Sequence, residues 1–290
     1  MNQMRAVGAF IGLAIGDAMG APLEGLPPRP IAVTEMLGGG FHDALPGQYT
    51  DDTLQALALA ETLIRCQRLD VDDFVGRLIQ VYHAHPEFFG PTSRTVLDLI
   101  EGGLDPEAAA ARAHETRGGS RSNGSVMRGI PVGVFYPPEE VREMSLAASR
   151  VTHLDPAAGE ASAVINRMVS GMCRGEGVDE AFGAAVAACR DAELKAMLED
   201  YRAYPPEPSL DAVLCTHCAT RILLEAPSLR DAIVRAVNLG GDADTAGAIT
   251  GGLAGARWGI AAIPESWLSV LQDREKLLDR AQRLWSVSKP

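Results

Sequence analysis

Along the chain, apolar residues recur at three- and four-residue intervals far more often than at every second position. That spacing predicts helices over Arg5–Met19, Thr53–Cys66, Val71–His83, Arg94–Ile100, Glu107–His114, Pro138–Val151, Ala157–Arg174, Val178–Arg190, Ser209–Glu225, Ser228–Val237, Thr245–Trp258 and Glu275–Val287. Alternating, strand-like runs are nearly absent. Pro and Gly punctuate the gaps, in "LPPRP", "LGGGFHDALPGQ", "TRGGSRSNGS" and "YPPEP". None of these is long or biased enough to link independent domains. The pattern therefore predicts one all-α domain over residues 1–290.

Two of the helices carry a rarer stripe. Gly8, Gly12, Gly16 and Gly20 recur every four residues, and so do Gly247, Gly251, Gly255 and Gly259. At that spacing each set lies along one helix face. Glycine inside a helix costs roughly 1 kcal/mol relative to alanine, so a stripe of them needs a compensating gain, and close backbone approach supplies one. The two helices are expected at the centre of the fold, where such stripes would let them pack against each other. Gly20 and Gly259, at the end of each series, read instead as helix terminators.

Composition narrows the classes of function. Of 290 residues 47% are hydrophobic, enough for a substantial core, and the net charge of −12 argues against non-specific nucleic-acid binding, which needs a basic footprint. Five cysteines without a regular framework fit a reducing compartment. No secretory leader opens the chain, and its apolar stretches are broken by Gly or charge, so a cytoplasmic protein without a membrane span is expected.

The candidate chemistry is acidic. In "YTDDTLQALALAE" (Tyr49–Glu61), Asp51 and Asp52 stand between two threonines at the mouth of an apolar helix. "NLGGDADTAGAITGGLAGARWG" (Asn238–Gly259) repeats the design with Asp242, Asp244 and Thr245. A single Asp or Thr there is an ordinary N-cap. Two carboxylates and a hydroxyl are more than one cap can use, and like charges a few ångströms apart repel. A divalent cation removes the difficulty, since hard ions take carboxylate, hydroxyl and carbonyl oxygens; four aspartates suit two ions better than one. The lack of a His- or Cys-rich spacing disfavours structural zinc. Glu24, just past the first glycine-striped helix, is expected to bridge or orient a metal-bound water; Asp17 in the same segment suits either a ligand or a brace for neighbouring backbone, and bracing is the favoured reading.

"GGSRSNGSVMRGIPVG" (Gly118–Gly133) begins as a donor-rich loop in which Ser122, Asn123 and Ser125, with successive backbone N–H groups, suit an anion such as phosphate. Its spacing is neither a Walker A motif nor a dinucleotide fingerprint. "VTHLDPAAGEA" contributes His153, and a lone histidine is either a hydrogen-bonded structural residue or a ligand contact. "CTHC" (Cys215–Cys218) lies within a predicted helix without a second pair and reads as core packing. "QDREKLLDRAQRLW" reads as an amphipathic surface helix, and Pro27–Pro30 as the start of a loop over the cleft.

Taken in order, "GLAIGDAMGAPLE", "YTDDT", "SNGSVMR", "VTHLDPAAGEA" and "GGDADTAGAI" resemble the ADP-ribosylglycohydrolase family, from about Gly8 to Trp258. The resemblance implies an orthogonal all-α domain with a binuclear Mg²⁺ or Mn²⁺ cleft. It implies metal ligands at Thr50, Asp51, Asp52, Asp242, Asp244 and Thr245. It implies a catalytic carboxylate at Glu24 alongside Asp51 and Asp242, and ADP-ribose contacts from Ser122, Asn123, Gly124, Ser125 and His153. Phe88, Phe89 and Ser93 fall in a loop that family members use toward the acceptor, with a match too loose to assign.

The implied activity is release of ADP-ribose from an ADP-ribosylated acceptor, by attack of a metal-associated water at the anomeric carbon. Arginine-linked protein is the favoured acceptor, with serine an alternative, and a monomer is expected. Two other readings stay open on sequence: a non-catalytic ADP-ribose-binding or structural relative, and a metal-dependent hydrolase of another phosphate-containing small molecule.

Overall fold

The computed structural model describes residues 2–30, 32–40 and 43–289. Its helices are, in chain order, α1 (Asn2–Gly20), α2 (Asp51–Cys66), α3 (Val71–Ala84), α4 (Pro91–Glu101), α5 (Pro106–Thr116), α6 (Gly124–Met127), α7 (Ile130–Phe135), α8 (Val141–Arg150), α9 (Pro156–Arg174), α10 (Val178–Ala188), α11 (Ala192–Glu199), α12 (Ala212–Glu225), α13 (Leu229–Val237), α14 (Ala243–Trp258), α15 (Glu265–Val270) and α16 (Arg274–Ser286). Among the described residues the β pairings are two isolated bridges, Gly39 with Ala44 and Ser122 with Asp211. The all-α expectation therefore holds. Each helix predicted from periodicity is present, with ends moved by at most three residues. The short α6, α7, α11 and α15 were not predicted. In α7 every residue is buried, which erases the periodic signal.

Local chemistry explains six of the helix starts. Asp70, Asp105, Asp155, Asp191, Asp211 and Ser228 each accept a hydrogen bond from a first-turn backbone N–H, satisfying a donor the helix leaves open. Other starts lack such a cap, among them the two at the acidic segments. Thr50 before α2 and Asp242 before α14 make no side-chain cap.

The glycine stripes meet. A Cβ on Gly12 would lie 2.2 Å from the Gly251 carbonyl oxygen, and one on Gly16 would lie 1.9 Å from that of Gly247. Gly8 and Gly255 face each other in the same way. The register, Gly8 with Gly255 and Gly16 with Gly247, makes α1 and α14 antiparallel. Gly259 ends α14 with φ +80, while Gly20 both ends α1 and packs on Ala243. Residues Ala6 to Gly20 of α1 are all buried, as are Ala243 to Ala256 of α14. Contrary to the sequence expectation, the Asn2–Leu23 segment is long and apolar enough to cross a membrane; Arg5 and Asp17 sit near its ends, and glycine does not lower its hydropathy enough. Its apolar window is packed wholly inside the protein.

The remaining helices wrap this pair. One apolar core runs from Ala6 to Leu284, with a satellite of Val96, Ala109, Ala110 and Ala113 between α4 and α5. On the amphipathic α16, Leu277, Ala281 and Leu284 turn inward. Cys215 and Cys218 are buried free thiols in α12, in keeping with a packing role.

Candidate active site

The antiparallel central pair decides where the acidic segments go. It sets the C-terminal end of α1, and the turn leading to Glu24, beside the N-terminal end of α14. Gly25 N–H donates to Gly241 O (2.7 Å) and Gly241 N–H returns a bond to Leu26 O (2.8 Å), which stitches the Glu24 turn to the segment before Asp242. Gly240 and Gly241 both have positive φ, and a Cβ on Gly240 would lie 2.2 Å from Leu26 O. That is the local reason for "GG" ahead of the aspartates.

Asp17, in the last turns of α1, recruits α2. Its carboxylate accepts from Thr50 N–H (2.9 Å), Thr50 Oγ1 (2.8 Å), Thr53 N–H (3.0 Å) and Thr53 Oγ1 (2.6 Å). A buried carboxylate in α1 thus does the capping that Thr50 does not, and Asp51 and Asp52 are free to face away from the helix start. Asp17 braces and does not line the cavity.

The result is a cleft of about 230 Å³ lined by Glu24, Asp51, Asp52, Asp242, Asp244 and Thr245, together with Ser122, Asn123, Gly124 and His153. Phe88, Gly90, Pro91, Thr92, Ser93, Arg117, Ser120, Met127 and Leu210 complete its walls. Thr50 and Ser125 are not among them. The Thr50 hydroxyl proton is committed to Asp17, leaving only its oxygen lone pairs. Ser125 instead receives a bond from Ser149 (2.9 Å) behind the cavity. Phe89 is buried against Tyr82. Pro27–Pro30 lines a neighbouring groove of about 450 Å³ rather than the acidic cleft.

Burial and mutual repulsion dominate the electrostatics. Asp51, Asp52 and Asp244 are held well above the ordinary carboxylate range, chiefly by desolvation and then by neighbouring carboxylates, with Asp17 among them in each case. Asp242 is raised by burial and partly relieved by Asn123. Asp52 Oδ1 and Asp244 Oδ1 are buried without a hydrogen-bond partner. Among the described residues, no three His, Cys, Asp or Glu side chains already cluster around one point closely enough to hold an ion. The carboxylates share the walls of one cavity, two with an oxygen unsatisfied, and every donor is a hard oxygen. That set fits divalent cations of the Mg²⁺ or Mn²⁺ type.

The loop opposite is positioned by long-range bonds. Asn123 Nδ2 donates to Asp242 Oδ2 (2.5 Å) and Ser209 O (3.0 Å), so the amide expected to contact substrate phosphate holds an aspartate in place. Arg121 bridges Asp211 (2.6 Å) and Glu193 (2.5 Å), tying the same loop to α12 and α11. A Cβ on Gly124 would lie 2.8 Å from His153 Cε1, so only glycine lets the imidazole reach the cleft wall. Burial and the neighbouring Arg128 cation depress His153 to about 3, leaving it neutral at physiological pH.

Sequence reasoning missed Arg128, Gln55 and Thr152. Arg128 is 1% exposed; its Nη1 donates to Gln55 Oε1 (2.9 Å) and its Nη2 to Thr152 Oγ1 (2.7 Å). The available signal was a lone charge inside the apolar run "VMRGIPVGVF".

The family model for ADP-ribosylglycohydrolase matches residues 2–290. The chain is 33% identical to the ADP-ribosyl-[dinitrogen reductase] glycohydrolase of Rhodospirillum rubrum, over 92% of this chain and 90% of that protein. It is 31% identical to the ADP-ribosylarginine hydrolase Tri1 of Serratia proteamaculans, over 98% of this chain and 80% of that protein. A solved structure described as an ADP-ribosylglycohydrolase-related protein complex superposes with a TM-score of 0.87 at 35% identity, covering 99% of both chains.

Proposed function

The chain belongs to the ADP-ribosylglycohydrolase family, and on that footing we propose that it hydrolyses the bond between ADP-ribose and an ADP-ribosylated acceptor, with arginine-linked protein the favoured substrate. The observation that carries this reading is the single buried cleft shared by Asp51 and Asp52 from one helix mouth, Asp242 and Asp244 from another, and Glu24 from the turn between them. Divalent cations held by Asp51, Asp52, Asp242 and Asp244, with oxygens of Thr50 and Thr245, would supply charge compensation and Lewis acidity toward the ribose hydroxyls.

The chain's own groups do the rest. Water oxygen bonds to the anomeric carbon as the bond from that carbon to the acceptor nitrogen breaks, and the electron pair leaves with the nitrogen. Glu24 takes the proton lost by water. Positive charge building on the ribose ring is offset by the Asp51 and Asp242 carboxylates. The backbone around Ser122 and Gly124, with Arg117 on the rim, suits the diphosphate. His153 meets the substrate as a neutral donor or acceptor. The arginine preference rests on the relative named an ADP-ribosylarginine hydrolase.

The test is release of free ADP-ribose from arginine-linked, serine-linked and nucleic-acid-linked conjugates, with and without chelator. Asp51→Ala and Asp242→Ala should each lower turnover by roughly 10²-fold or more, the scale of a lost electrostatic group at a reacting centre. Folded variants with wild-type turnover would sink the reading.

A further inference from the structure

Arg128 is a buried cation that the reaction does not use directly, yet hydrogen bonds run from it toward both walls of the cleft. On one side Nη1 donates to Gln55 Oε1 (2.9 Å), and Gln55 Nε2 donates to Asp51 Oδ2 (2.7 Å). On the other, Nη2 donates to Thr152 Oγ1 (2.7 Å), which lies 2.7 Å from His153 Nδ1, and His153 Nε2 lies 3.0 Å from Ser122 Oγ. Gln55, Thr152 and His153 are all buried, so water cannot substitute for a missing partner. The guanidinium is itself anchored by Ala148 O and by the Phe74 ring, 5.3 Å from its centre.

We propose that Arg128 is a positioning residue with two arms: through Gln55 it fixes the Asp51 carboxylate, and through Thr152 it fixes the tautomer in which His153 presents Nε2–H to the cleft. The inference rests on the reading of this cleft as an ADP-ribose site.

The direction of the two bonds from Arg128 follows from the donor inventory. Arginine can only donate. Gln55 must therefore turn its carbonyl oxygen to Arg128, which leaves its NH₂ for Asp51; the flipped amide would set two donors against each other and an oxygen against a carboxylate. Thr152 Oγ1 accepts from Arg128, which polarises its own O–H as a donor to His153 Nδ1. The far end agrees. Ser122 Oγ has Thr92 Oγ1 (3.3 Å) and Ser120 Oγ (3.2 Å) in reach for its own proton, which leaves its lone pairs open to Nε2–H. One chain of donors then runs from Arg128 through Thr152 and His153 to Ser122. Burial lowers Arg128 only to about 10, so it stays charged at neutral pH and disfavours a second cation on His153.

The experiment is ¹⁵N spectroscopy of histidine-labelled protein beside two binding measurements. The wild type should show His153 protonated at Nε2 and unprotonated at Nδ1; an Nδ1–H signature overturns the proposal. Thr152→Val should mix the tautomers and weaken ADP-ribose binding about tenfold, the loss of one net hydrogen bond, while Thr152→Ser restores both. Gln55→Leu should leave the His153 spectrum unchanged and weaken Mn²⁺ binding by about 10–100-fold, as loss of a group orienting a metal ligand does. Arg128→Met should show both defects; if it does not fold, the Thr152 and Gln55 variants carry the test alone. A folded Thr152→Val with the wild-type tautomer and affinity, or a folded Gln55→Leu with wild-type Mn²⁺ affinity, overturns the proposal. Failure of the hydrolase reading is distinguishable, because it appears as no ADP-ribose release from any conjugate while the spectra and affinities still respond as expected.

Discussion

At the scale of single residues, Asp17 matters most to the assembly. It is wholly buried and accepts four kinds of bond from Thr50 and Thr53. Burial alone would raise it further; the four donors pull it back. Removing a charged acceptor and leaving backbone N–H groups buried without partners costs about 1–3 kcal/mol per group. Asp17→Ala is therefore expected to destabilise by about 3 kcal/mol or more in urea unfolding, and a loss under 1 kcal/mol would refute the bracing role. That role was legible in sequence, because Asp17 interrupts an apolar stripe. The roles of Asn123, Ser125 and Arg128 were not. Asn123 reaches Asp242 across 119 positions, and Arg128 reaches Gln55 across 73; no local pattern encodes partners at such separations.

At the scale of elements, the same residue type has opposite value in different helices. Gly12 faces the Gly251 carbonyl, whereas Gly76, in the middle of α3, has nothing within 4 Å of where a Cβ would sit. A methyl group on Gly12 must push two helix backbones apart, and overpacking of that kind costs typically 1–3 kcal/mol and sometimes more. On Gly76 it meets open space and removes the entropic penalty of glycine, worth about 0.5–1 kcal/mol. Gly12→Ala should thus lower the unfolding free energy and Gly76→Ala should raise it; the same sign for both would contradict the packing argument. The stripes were readable because a four-residue period is rare and survives burial on all sides. The short α6 and α7 were not, since four residues are too few to show a period and the six of α7 are uniformly apolar. Nor could the sequence distinguish an aspartate that caps, such as Asp211, from one that leaves its cap unused, such as Asp242. That distinction depends on Asp17 and Asn123 arriving from elsewhere.

At the scale of the whole molecule, the fold gathers like charges that it does not neutralise by itself. Asp51, Asp52 and Asp244 are raised chiefly by burial and then by nearby carboxylates, so each opposes folding when ionised and opposes it less as pH falls through its raised value toward the ordinary carboxylate range. In metal-free protein, stability from this cluster should therefore decrease as pH rises through those values. A divalent cation reverses the sign, because it binds only the ionised carboxylates and only in the folded arrangement. Added Mn²⁺ should raise Tm, by an amount equivalent to about 2.7 kcal/mol at a hundredfold excess over Kd, and the gain should be larger at pH 7.5 than near pH 5. Asp244→Asn separates the two terms. It removes a charge whose Oδ1 has no partner, so the metal-free variant should be at least as stable as wild type at neutral pH while gaining less from Mn²⁺. Thermal scans of both proteins with chelator and with Mn²⁺ decide the matter. A variant that is less stable without metal and equally stabilised with it would mean that the acidic cleft is held together by its own hydrogen bonds rather than by a cation.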